Sequence, residues 1–71
     1  MPDRLRLLDV VALLDDLPEA RLARGQVGTV VDILDPPVVM VEFSDDQGRA
    51  YDVRPISSDR LLALHYEPVA A

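Results

Sequence analysis

Cysteine, lysine and tryptophan are all missing from this chain, which also has only one histidine and one phenylalanine. Without cysteine there can be no disulfide and no thiolate zinc site, and a single imidazole cannot build a histidine cluster. Without lysine, Schiff-base chemistry is excluded. The three aromatics, Phe43, Tyr51 and Tyr66, are too few for the ridged groove that proline-rich peptides dock into. No apolar run approaches the ~18 residues needed to span a bilayer. Asp3, Arg4 and Arg6 surround Leu5 ahead of Asp9, which is unlike a secretory h-region. A soluble cytoplasmic protein with no membrane partner is the expectation.

Positive charge is also scarce, with 13 acidic against 7 basic residues and a net charge of −6. Nucleic-acid affinity rests on cations meeting phosphates, so this balance argues against a nucleic-acid partner. A chain of 71 residues makes one small domain. Such a domain buries only about 60% of the surface its unfolded form exposes. Core bookkeeping at this size comes out near zero, and self-association or partner binding is the supplement that remains.

What is present is a strong β pattern. Arg24-Gly25-Gln26-Val27-Gly28-Thr29-Val30-Val31 turns a loop into a strand. Gly25 can take positive φ, and the β-branched residues that follow favour an extended chain. Gly28 inside that strand implies a bulge, a bend or the close approach of another backbone.

In chain order, residues 1–8 read as a strand or one helical turn. The short apolar run within residues 9–15 reads as a first strand. Pro18 forces Leu17 out of the helical region, so a long loop with one turn of helix follows, its Leu17 and Leu22 tucked onto the core. Residues 26–34 form the second strand, which Asp35-Pro36-Pro37 breaks in a tight reversal. The third strand, residues 38–43, runs antiparallel to it, with Val39, Val41 and Phe43 inward and Val38, Met40 and Glu42 outward. Ser44 through Gly48 is a turn, and Arg49 to Arg54 a fourth strand ended by Pro55. There Tyr51 and Val53 share one side against the polar Arg49, Asp52 and Arg54, the pattern of a half-buried strand. Residues 57–60 form a helical turn with a serine cap. Residues 61–66 are a fifth strand, and 67–71 a frayed tail. Five short strands, one long loop, tight turns and a short helical turn spell an all-β, five-stranded SH3-like small barrel.

Leu8-Asp9-Val10-Val11-Ala12-Leu13, Asp16-Leu17-Pro18-Glu19, the glycine stretch from Arg24 and the run Val41-Glu42-Phe43-Ser44-Asp45 together resemble a bacterial family of small proteins, domain-of-unknown-function family 4926. The resemblance runs from about Leu8 to Leu64. It implies an SH3-like barrel with no known enzymatic activity and no established cofactor. It also implies an antitoxin or immunity role, through neighbouring toxin-like partners. The glycine stretch alone resembles barrels of ribosomal and transcription-factor modules, which gives a nucleic-acid-binding barrel as the alternative.

Candidate sites are few. Asp45 and Asp46 could hold a cation, but a turn rich in Asp and Gly needs no such explanation. His65 beside Tyr66 is the one titratable imidazole, with Ser57 or Ser58 as an imaginable nucleophile, and a strand-edge histidine without a role is the plainer reading. Asp15, Asp16 and Glu19 read as a solvated acidic loop. No catalytic, cofactor or metal residues are assigned, and no enzyme is expected.

Apolar strand positions outnumber what one small interior can take. Either the N-terminal segment or the long loop covers Val30, Val38 and Met40, or these residues form the apolar centre of an outward protein-binding patch ringed by Asp32, Glu42 and Arg residues. The reading is a non-enzymatic, acidic interaction module that binds another protein or a second copy of itself.

Overall fold

A computed structural model describes residues 5–65 and Pro68. Five strands form one antiparallel sheet in the order β4-β3-β2-β1-β5: β1 is Val10–Leu13, β2 Val27–Ile33, β3 Val38–Ser44, β4 Ala50–Ser57 and β5 Leu61–Ala63. Short 3-10 turns at Pro18–Ala20 and Ser58–Arg60 supply the only helical character among the described residues. The expected five-stranded all-β fold is therefore what the chain forms. β4 and β5 lie at the two edges of the hydrogen-bonded order.

All five strands contribute to one core, in which Val11, Val30, Val41 and Phe43 are fully buried. Leu17 and Leu22 join it from the long loop. Their backbones pair as an isolated bridge that folds the loop back on itself. Burying each leucine contributes about 1.5–3 kcal/mol, enough to order a loop with little other structure.

The glycines divide the strand-launching work. Gly25 has φ 90° and turns the chain into β2, and Gly48 has φ 81° and closes the β3–β4 turn. Gly28 pairs with Val11 on one side and Phe43 on the other. Of the three explanations open for it, close approach of another backbone is the one realised, because the Glu42 carbonyl oxygen, with the Val41 and Phe43 side chains, crowds the place of its missing side chain. The bulge of β2 falls further along, between Val30 and Asp32.

That bulge corrects the placement of Val30. Val39 faces inward and pairs with Ile33, and uninterrupted alternation back from Ile33 would turn Val30 outward. The extra residue, Val31, shifts the parity by one. Val30 instead opposes Val41 and is 0% exposed.

β4 departs from expectation at its end. It continues through Pro55, which pairs with Met40, and ends at Ser57. The reason lies in backbone direction. Leu34 N–H donates to the Val38 carbonyl at 3.0 Å, so Val38 directs its backbone groups to β2. Alternation then turns Val39, Val41 and Phe43 toward β4, where their partners are Ile56, Arg54 and Asp52. Val53 and Pro55 point their backbone groups at the free edge, where a missing N–H disturbs no ladder.

The same register places Asp52 and Arg54 on the core side of β4, joined by an ion pair of 2.8 Å, while Tyr51 and Val53 stand half exposed. Ser57 holds the N-cap position of the second 3-10 turn, but its side chain makes no capping bond. β5 is shorter than expected, and Tyr66 and the 67–71 tail fall outside the described residues apart from Pro68.

Candidate functional site

The site expected from the sequence lies on the outer face of β2, β3 and β4. Met40 is half buried at its centre, flanked by Asp32 on β2 and Pro55 on β4. One step along, Glu42 lies between Thr29 and Val53. Val38 follows on the other side, paired with Ser57. Asp32, Val38, Met40 and Glu42 are thus brought onto one face; Val30, in the core, is not.

Two neighbours were not anticipated. Val53, 48% exposed, and Pro55 add apolar surface beside Glu42 and Met40. The register with β3 turns Val53, already within the expected strand, to this face, and only the continuation of β4 through the proline adds Pro55.

A third contribution comes from the turn ahead of β1. Leu7 and Leu8 are 57% and 76% exposed, and Leu8 has φ 72°. A leucine in the left-handed region costs about 1–2 kcal/mol, so the turn must be held from outside. Leu8 N–H donates to the Val30 carbonyl at 2.7 Å, Val30 N–H donates to Asp9 O at 2.9 Å, and Arg6 N–H donates to the Asp9 carboxylate at 2.8 Å. These bonds pin two leucines beside the bulge, where Val31 is also exposed. The available signal was Leu7-Leu8 directly before Asp9, an Asx-type acceptor for the turn it closes.

The electrostatics of this face are one-sided. No arginine occupies an outward position of the three strands, whereas Asp32 and Glu42 both do. Arg54 is engaged with Asp52 on the opposite face, and Arg60 lies 3.7 Å from Asp15 at the far loop. The face is a mixed apolar and anionic surface.

The remaining candidates resolve into local structure. Asp45 Oδ1 accepts from the N–H groups of Gln47 and Arg49, both at 2.9 Å, which closes the β3–β4 turn. Asp16 accepts from Arg24 N–H at 2.8 Å and ties the long loop together. Ser58, Asp59 and His65 rim one cleft floored by Val39 and Leu61. No hydrogen bond joins the three among the described residues, whereas a serine nucleophile works through bonded contact with its base. Among the described residues no three His, Asp or Glu side chains gather as a metal site needs. No helix among them is long and apolar enough to cross a membrane.

Fold and surface together define a small, acidic all-β domain with an apolar outer face. The chain belongs to the family described as Domain of unknown function (DUF4926), whose model matches residues 7–63. That span takes in every strand and the Leu7–Leu8 turn. No curated protein and no solved structure gave a match.

Proposed function

We propose that this domain is a non-enzymatic protein-interaction module of the bacterial cytoplasm that docks through the outer face of β2–β4 and the Leu7–Leu8 turn. The partner has an apolar surface rimmed by basic side chains. One observation carries the reading: Leu8 is held in a left-handed backbone with its side chain 76% exposed. Strain of this kind persists where the surrounding structure imposes it, and it clusters at functional sites. A strained leucine this exposed adds little to the buried core, to whose cluster it does not belong.

The charge pattern supports the partner's chemistry. Asp32 and Glu42 flank Met40, the arrangement of an apolar centre with a charged rim. The net charge of −6 would steer a basic partner toward this face. An antitoxin or immunity role fits if the partner is a nuclease, whose basic site the carboxylates would occupy.

Affinity capture with the wild-type chain, Met40→Asp and Asp46→Ala tests this reading. Capture retained by Asp46→Ala and lost with Met40→Asp supports it. Equal capture by all three rules out the face.

A further inference from the structure

We propose that β4 is a self-pairing edge: two copies of the chain join antiparallel about Val53 and extend their sheets into one. This surface meets the outer face described above at Val53, but it is formed by the backbone edge of β4 and the core-side residues Asp52 and Arg54. It rests on what the register places around one residue.

Among the described residues β4 pairs with β3 alone, so its other side is an edge of the sheet. Val53 turns both backbone groups toward that edge. Val53 meeting its own symmetry mate would exchange N–H···O bonds in both directions, as residues of a hydrogen-bonded antiparallel pair do. Asp52 and Arg54 flank Val53 on the core side of the strand. A two-fold axis at Val53 therefore sets each Asp52 opposite the second copy's Arg54.

Arg54 has capacity for this. Its Nε donates to Asp52 Oδ2 at 2.8 Å within the chain, and its terminal nitrogens have no partner among the described residues. The side chains of Arg54 and Asp52 are 35% and 23% exposed, so both remain partly accessible to a second chain. Guanidinium groups carry five donors, enough to hold two carboxylates at once. The result is a four-charge network across the axis.

The neighbouring registers are disfavoured. Moving the axis to Asp52 or to Arg54 would set like charges opposite each other, which is destabilising. A slip by one residue would oppose core-side with outer-side positions. The irregularity between Phe43 and Ser44, which leaves Tyr51 as the extra residue, bounds the segment on one side, and Pro55 bounds it on the other. Both are devices that blunt an edge against indiscriminate strand addition. Here they limit pairing to the self-complementary stretch between them.

Charge reversal tests the pairing. Sedimentation equilibrium on the wild-type chain is expected to show a concentration-dependent dimer. Asp52→Arg and Arg54→Asp are each expected to weaken self-association by roughly tenfold or more. Mixed in equal amounts, the two variants should regain association as a heterodimer, because a strand with two arginines meets one with two aspartates. Both variants lack the intrachain ion pair, so recovery on mixing reports contact between chains. Val53→Cys gives an independent reading in a chain with no other thiol. Opposed Cα atoms about 5.5 Å apart lie within disulfide reach, so mild oxidation should link two copies. A wild-type chain that stays monomeric, a mixture no tighter than its components, or a Val53→Cys chain that fails to cross-link would overturn the proposal.

Discussion

Gly28 and Val41 exclude a side chain between them: a Cβ on Gly28 would lie 2.6 Å from Val41 Cγ1 and 2.9 Å from the Glu42 carbonyl oxygen. The obstacle on one side is backbone and on the other a fully buried valine, so neither yields without moving the β2–β3 ladder. Gly28→Ala is expected to destabilise the domain by about 1–3 kcal/mol, the usual cost of overpacking. Chemical denaturation measures it, and an unchanged midpoint would show that β3 can shift freely.

Asp45 and Asp46 are adjacent acids with different work. Asp45 accepts two backbone N–H groups and Asp46 has no described side-chain bond. Asp45→Ala should cost about 1–2 kcal/mol, whereas Asp46→Ala should stay within about 0.5 kcal/mol. Thermal melts of the two variants separate a turn-forming role from a cation site, in which both carboxylates would matter together.

Leu8→Gly distinguishes a structural from a binding role for the strained turn. Relief of left-handed strain and the added freedom of glycine in the unfolded chain nearly cancel, leaving stability within about 1 kcal/mol of wild type. Partner binding should fall all the same. Lost stability with retained binding would instead make Leu8 a folding residue.

Association with a basic partner should slow as salt rises, since exposed charges are screened beyond about 8 Å at physiological ionic strength. Stopped-flow or surface-capture rates between low and high salt provide the check. An association rate indifferent to salt would mean that Asp32 and Glu42 do not steer the encounter.

Element types and order were legible in the sequence because they depend on local chemistry: positive φ at Gly25 and Gly48, β-branched runs and a double proline. The inward set Val39, Val41 and Phe43 followed from alternation along an uninterrupted strand. Errors arose where one residue changes parity or direction. The inward turn of Val30 is not legible, because the bulge at Val31 leaves no compositional mark. β4 was cut short at Pro55 because proline's tolerance depends on which edge it faces, and that is a property of the assembled sheet. The left-handed turn at Leu8 is not legible for a similar reason: its backbone angle is imposed by bonds to Val30 and Asp9, which lie across the fold or at the close of the turn.

The pairing of Val11 with Ala63 ties opposite ends of the chain together, whereas β2, β3 and β4 are joined by tight reversals. Closing a long loop costs more entropy than closing a short one, so the order of assembly is written into this topology. The central hairpins can form early, and β5 is the strand added last and released first. Amide exchange would register this as protection that is greatest in β3 and least in β5. A firm three-stranded centre with a closing strand that opens first is the expected exchange pattern, and uniform protection across the five strands would overturn it.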